Sequence, residues 1–307
     1  MQNWTITSSP HIRAEDNTKN IMTDVIIALL PCIIAGIIFF GYRVTALLAI
    51  AIFTSVGTEH LWCKIMGKRS SIKDLSAVVS AIILTLMLPP TAPLWIPLVG
   101  SLFMIPIAKL AFGGLGQNFI NPAAAGRGFL LASWPVIMTT WTAPWVPLTL
   151  LSNPNVVTTA TPLAQSVAQL PSYLSLYIGT TAGCIGETSV LAILIGLIYL
   201  LWRRVIKIDV PFIFVAVVFI LSFCTGADPV YQILSGGLMF GAVFMATDYS
   251  TSPLTKQGSW IYAAGLGVLT FLIRTFGGYP EGVCYSILIM NCLVPLIDKI
   301  PTKARVR

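Results

Sequence analysis

Apolar residues in this chain neither alternate nor trace a narrow helical stripe; they come in long runs separated by short polar stretches. A bilayer core about 30 Å thick needs roughly 20 apolar residues per helical span. Ten runs approach that length: residues 21–41, 44–63, 75–92, 94–112, 119–138, 185–202, 209–225, 229–247, 258–276 and 282–298. The pattern predicts an all-α polytopic membrane protein of about ten transmembrane helices, with nine or eleven as the neighbouring counts. Two runs are interrupted: 75–92 meets Leu88-Pro89-Pro90, and 119–138 opens on Asn121-Pro122. Proline has no N–H to give and crowds the preceding turn.

The runs also repeat. Leu75-Ser76-Ala77 starts one run and Phe112-Gly113-Gly114 ends the next, while Leu234-Ser235-Gly236 and Phe276-Gly277-Gly278 do the same in the second half. Five spans per half, an odd number, would turn the second copy upside down in the membrane. The expectation is therefore two inverted five-helix repeats with broken helices, over residues 21–138 and 184–298, an arrangement that in transporters places sites at helix breaks. Around them lie a cytoplasmic N-terminal segment, 1–20, an outer-face loop, 139–183, and a cytoplasmic tail, 299–307. Met1–Asn20 is polar and mixed in charge, unlike a signal peptide.

Composition narrows the class. Hydrophobic residues make up 56% of the chain and charged residues 9%, against about 25% charged in a soluble domain. That excludes a soluble fold, which needs charge for its surface, and a disordered chain, which lacks aliphatics. Charge then gives orientation. With the N-terminus inside, 15 of the 18 Lys and Arg residues, Lys109 among them, fall on the cytoplasmic side. Arg43 and Arg274 fall outside and Arg127 within a span. The positive-inside rule thus favours ten spans with both termini cytoplasmic. The net charge of +7 reads as membrane orientation, with no nucleic-acid partner. The 139–183 loop has no ionisable side chain of the Lys, Arg, Asp, Glu or His type. It is expected to pack along the membrane or around a ligand, with Trp141, Trp145 and Tyr173 as interface anchors.

Polar groups inside apolar runs are costly and mark candidate sites. In Phe112–Arg127, Asn118 and Asn121 stand three apart and Pro122 suits a first helical turn; the free N–H groups there favour an anion or a carbonyl oxygen. The plainer reading is a helix break with an Asn cap. Met245–Pro253 carries Asp248, an acceptor when ionised, or simply an Asp turn ended by proline. The distribution of charge sets Asn118, Asn121 and Asp248 at one depth, where they could line one pocket. Glu59, His60 and Glu187 lie in or beside spans. Glu59, Glu187 and Asp248 are the ion-pathway candidates, against interfacial snorkelling for the first two. Arg127 requires a phosphate, a carboxylate or backbone carbonyls as partner. Among the 6 cysteines there is no C-x-x-C pair, so no metal site is expected, and no motif of a catalytic nucleophile is present. Nothing physical singles out the threonines of Asn155–Pro162.

Taken together, Gly113-Gly-x-Gly-x-Asn118-x-x-Asn121-Pro-Ala with Gly126-Arg127, Thr159-Ala-Thr161-Pro-Leu163 and Met245-Ala-Thr-Asp248-x-x-Thr-x-Pro253 resemble one family along nearly the whole chain. It is the flavoprotein family that unites the D component of the Rnf ion-translocating ferredoxin:NAD oxidoreductase with the B component of the sodium-pumping NADH:quinone reductase. The resemblance implies FMN joined to Thr161 through a phosphoester (making it a flavin-type phosphoprotein), within a segment where Asn155 and Thr159 depart from the family's Asp and Gly; Thr158 and Thr159 are the fallback acceptors. It implies a second, non-covalent riboflavin held by Asn118, Asn121 and Asp248, with Arg127 in the same motif. It also implies an electron-transfer subunit of a translocase in a bacterial inner membrane. The implied partners are the other subunits of an Rnf-type complex, above all a second covalent-flavin subunit on the outer face, and a flavin transferase. Two other readings stay open: a stand-alone secondary transporter or channel without flavin, and a passive assembly scaffold.

Overall fold

The computed structural model describes residues 17–67, 71–146, 163, 171–277 and 282–300. Every apolar run contains helix. In chain order these are α1 (Thr18–Phe40), α2 (Arg43–Ile65), α3 (Ser76–Leu86), α4 (Trp95–Phe103), α5 (Pro122–Ser133), α6 (Pro135–Met138), α7 (Tyr173–Ile178), α8 (Val190–Trp202), α9 (Asp209–Cys224), α10 (Pro229–Leu234), α11 (Leu238–Phe240), α12 (Lys256–Phe276) and α13 (Val283–Ile297). Only α1, α2 and α12 are long and apolar enough, among the described residues, to cross a membrane by length and composition.

The remaining runs are shorter as helices than their apolar length suggests, and the interruptions explain why. α3 ends at Leu86, just before Leu88-Pro89-Pro90, so its 11 residues rise only about 16 Å. Pro135 separates α5 from α6. The eighth run breaks at Ser235-Gly236-Gly237 between α10 and α11; Gly237 sits at φ 49°, in the left-handed region that glycine enters freely. α4 and α11 each continue as a π-helical stretch, Met104–Leu110 and Gly241–Met245. Ala111 N–H reaches back to Pro106 O at 2.8 Å, and Ala246 N–H to Gly241 O at 2.8 Å, one residue further than an α-helix allows. In the first stretch Pro106 has no N–H for the α-type bond and widens the turn.

Much of the outside is apolar, and several charges lie inside. Phe53, Phe223 and Phe276 are 77%, 71% and 79% exposed, whereas Arg43, Glu59, Lys109, Arg127 and Glu187 are buried. Water does not tolerate such a distribution; lipid does. Two glycines let α1 pack closely, Gly36 against Ile185 ahead of α8 and Gly196 of α8 against Ala28 of α1. A Cβ on Gly36 would lie 2.6 Å from Ile185 Cγ2, and one on Gly196 would lie 2.8 Å from Phe244 Cζ and collide with the Ala28 carbonyl. Small residues at such positions let helices approach in lipid. Arg43 is turned inward, giving its guanidinium to Ala92 O at 2.9 Å and so holding the turn that follows α3. Trp141 is only 6% exposed and is thus a core residue rather than an interface anchor. Trp145 and Tyr173 are exposed, and Trp145 packs edge-on against Phe39 at 5.5 Å.

Candidate functional site

A cavity with about 70 Å³ of water-accessible space opens between the first helices and the two π-stretches, and Asn118, Asn121 and Asp248 all line it. Its lining of mostly apolar walls with a few polar groups is of the kind that small-molecule sites use. The remaining wall includes Ser76, Lys109 and Tyr249.

The three polar residues arrive by different routes. Asn121 caps α5: its Oδ1 accepts from Ala124 N–H at 3.1 Å, and Pro122 follows at the first helical position, the arrangement such a cap requires. Its Nδ2 gives to Met245 O at 3.4 Å, which ties α5 to the end of the second π-stretch. Asn121 is thus fully engaged inside the protein. Asn118 is different. Its Nδ2 gives to Ile120 O at 3.2 Å, but its Oδ1, on a residue 2% exposed, has no partner among the described residues. A buried acceptor left unpaired is costly, and here it belongs to a residue of the cavity wall, where a ligand N–H can satisfy it. Asp248 follows the second π-stretch and folds back on its own turn, accepting from Ser250 Oγ at 3.2 Å and Thr251 Oγ1 at 3.1 Å.

The remaining sequence candidates lie elsewhere. Arg127 is not among the cavity-lining residues. Its NH1 gives to Glu187 Oε1 at 2.8 Å and its NH2 meets Cys184 Sγ at 3.4 Å. The carboxylate foreseen as one of its possible partners is therefore Glu187, and the two ionisable candidates neutralise each other beside Gly237, whose Cβ would lie 2.7 Å from Glu187 Oε1. Glu59 lies directly behind the cavity, paired with the wall residue Lys109 at 3.0 Å. Asp248 alone of the three ion-pathway candidates lines the cavity itself. Thr161, with Asn155, Thr158 and Thr159, lies outside the described residues.

Three participants were not singled out from the sequence. Lys109, assigned to the cytoplasmic charges, is 2% exposed and belongs to the interior. Asn291 of α13 is fully buried; with its amide oriented as its neighbours require, Oδ1 accepts from Asn121 N–H at 3.0 Å while Nδ2 reaches Tyr262 Oη at 2.8 Å and Thr251 O at 3.3 Å. Asn291 and Tyr262 thereby join the Asn121 cap to the Asp248 turn. A lone Asn within an apolar span was the available signal.

Comparison with known proteins follows the same lines. The sequence model described as the NQR2, RnfD, RnfE family matches residues 5–307. The chain is 49% identical over 310 residues to the D component of the Na(+)-translocating ferredoxin:NAD(+) oxidoreductase complex of Acetobacterium woodii, covering 99% of this chain and 95% of that one. It is 41% identical over 315 residues to the D component of the proton-translocating ferredoxin:NAD(+) oxidoreductase complex of Clostridium ljungdahlii, covering 96% and 94%. It is 39% identical over 319 residues to the D component of the ion-translocating oxidoreductase complex of Alcanivorax borkumensis, covering 95% and 93%. With its apolar exterior, its buried charges and a match along nearly its whole length, the chain is a membrane protein that belongs to the NQR2, RnfD, RnfE family.

Proposed function

We propose that this protein is the membrane-embedded electron-transfer subunit of an ion-translocating ferredoxin:NAD oxidoreductase complex, coupled to export of Na⁺ or H⁺. The observation that carries the reading is the cavity itself: a mostly apolar chamber lined by Asn118, whose buried carbonyl acceptor has no partner among the described residues, in a chain 49% identical to a member of such a complex. A flavin ring presents an imide N–H and a broad apolar face, and both suit this wall. In this reading Asn118 holds a non-covalent riboflavin, Asn121 and Asp248 shape its chamber, and Arg127 acts on helix packing through Glu187. The ring supplies the electron-carrier chemistry; the chain orients it, excludes water and sets its electrostatics. FMN on Thr161, reached by a flavin transferase, is the second carrier, and a covalent-flavin subunit on the outer face is the neighbouring partner.

The topology proposed with it is ten crossings in two inverted five-helix repeats, both termini in the cytoplasm of a bacterial inner membrane, and the 139–183 loop outside. Three features support the inversion. Leu75 at φ 62° and Gly237 at φ 49° bend the backbone just before α3 and α11. Lys109 reaches Ser76 Oγ at 2.6 Å, and Arg274 reaches Ser235 O at 3.3 Å, so a cation meets the matching serine in each half. Gly36 of α1 packs against Ile185 of the second half and Gly196 of α8 packs against Ala28 of the first, so the first long helix of each half meets the other half through a glycine.

The same broken helices favour a flavin-free transporter as the second reading, since one fold hosts either task. Purification from a host with its native flavin transferase separates them. A yellow protein with in-gel flavin fluorescence after denaturation, lost in Thr161→Val, is expected. A colourless protein that moves solute would replace the electron-transfer reading, and fluorescence retained in Thr161→Val would remove Thr161 from it.

A further inference from the structure

The cavity wall holds a charge that the flavin reading does not use. Lys109 borders the cavity, yet its ammonium is committed behind the wall, to Glu59 Oε1 and Oε2 at 3.0 and 3.2 Å and to Ser76 Oγ at 2.6 Å. Three N–H donors meet three oxygens. Glu59 is fully buried and also accepts from Ser71 Oγ. Ser76 gives its N–H and hydroxyl to Asp74 Oδ1 at 2.9 and 2.6 Å. Ser71 and Asp74 are half-buried, so a track of oxygens runs from near the protein surface to the Lys109 ammonium and stops at the cavity. Asn118, whose buried Oδ1 has no partner among the described residues, lines the same cavity.

Carboxylate and hydroxyl oxygens are hard ligands of the kind that take metal cations of low polarisability. Here a cation on a flexible four-carbon stem fills the place. We infer that Lys109 is a tethered stand-in for a monovalent metal cation at Glu59, and that it gives up that place when negative charge enters the cavity. The inference deepens the electron-transfer reading and rests on it for the source of the charge.

The charges balance. With a neutral occupant in the cavity, Lys109 and Glu59 cancel each other. One electron from the reduced ferredoxin of the proposed reaction adds one negative charge, and the ammonium turns toward it. Glu59 is then a buried carboxylate without its cation, a state too costly to persist. One monovalent cation entering along Asp74, Ser71 and Ser76 restores neutrality. No covalent bond is made or broken, and loss of the electron returns Lys109 and expels the cation. Electron arrival and cation uptake are thereby linked one to one.

The first test needs no flavin. Full-length Lys109→Met, purified in detergent, is melted in NaCl and in choline chloride of equal ionic strength. Na⁺ is expected to raise its midpoint by roughly 3 °C at about ten times the dissociation constant. The unsubstituted protein, whose ammonium holds the site, and the Glu59→Gln/Lys109→Met double variant are expected not to respond. An equal response in Lys109→Met and the double variant, or a response to pH with no difference between the salts, overturns the site. A second test covers a variant that fails to fold: retention of radioactive sodium by the intact complex, oxidised and chemically reduced. Retention is expected to rise on reduction and to lose that rise in Lys109→Arg, whose fork-shaped guanidinium clamps both carboxylate oxygens. An unchanged rise in Lys109→Arg overturns the inference. A cavity that carries no electrons would erase the second signal and leave the first, so the two failures are distinguishable.

Discussion

At Asn118 and Asn121 two identical side chains, three positions apart in one motif, do different work. Asn121 spends both ends of its amide on the α5 cap and on Met245 O, so Asn121→Ala removes a cap worth about 1 kcal/mol together with a buried bond. It is expected to lower the melting midpoint with or without flavin. Asn118 leaves its acceptor open. Asn118→Leu is therefore expected to keep the midpoint of the flavin-free protein and to lose at least tenfold in riboflavin retention, measured by flavin released on denaturation; an equal loss of stability in both forms would place Asn118 in the scaffold. The sequence offered both residues as one patch. It could not divide their tasks, because the division depends on Met245 O, which the chain brings in from 124 positions away.

The Lys109–Glu59 pair behaves differently on single and double substitution. Removing one partner of a buried pair leaves a bare charge and costs about 3–5 kcal/mol, whereas replacing both is far milder. Glu59→Ala is thus expected to melt well below Glu59→Gln/Lys109→Met in choline chloride. A single variant as stable as the double one would mean that water reaches the pair.

At the scale of elements, the apolar runs marked where helices lie, and their punctuation marked where they stop. Leu88-Pro89-Pro90 and Asn121-Pro122 were legible as breaks because proline acts locally. The break at Gly236-Gly237 and the two π-stretches were not; the Glu187 carboxylate that fills the place of a Cβ at Gly237 comes from a distant part of the chain. Gly237→Ala is expected to destabilise by about 1–3 kcal/mol, from the positive φ and from that contact, and to do so less in a Glu187→Ala background. α10 is held at its start by Asp228, which accepts from Val230 N–H at 3.0 Å and Tyr231 N–H at 3.2 Å and from the Tyr173 hydroxyl of α7. The Tyr173 hydroxyl, with those N–H groups, holds the Asp228 carboxyl below the usual carboxylate range. A depressed value means that this stabilisation is present above the unfolded-state value near pH 4 and is lost as the pH falls through the folded value. Tyr173→Phe is expected to lower the melting midpoint near neutrality and to leave a smaller further loss on acidification in a melting series, with little difference between the two proteins at the acid end.

For the whole molecule, the low charge content stated the environment, and the fold adds that several of the few ionisable groups are spent inside. Arg43, Lys109 and Arg127 each satisfy a helix break or a buried acid. Lys109 was counted among the cytoplasmic charges from its place near the end of a run; its burial shows only with the partner on α2, 50 positions away. The phenylalanine-rich exterior makes the complementary prediction. Phe53→Lys, at a position 77% exposed, would pass unnoticed on a soluble surface; within a bilayer it costs about 2.5–3.5 kcal/mol near the helix centre. Reduced yield in the membrane fraction, with little effect from Phe53→Leu, is the expected result.

The π-stretch at Met104–Leu110 also sets a reading frame. Lys109 faces the cavity because the widened turn holds one residue more than a regular helix would over the same rise. Deleting a single residue there would restore the ordinary winding and swing every later side chain of the helix by about 100°, taking the ammonium away from Glu59 with no change to either residue. Chain length within that one turn is therefore as strictly constrained as the identity of Lys109. A homologue that kept both charges but lost one position between them would have no partnership left to inherit.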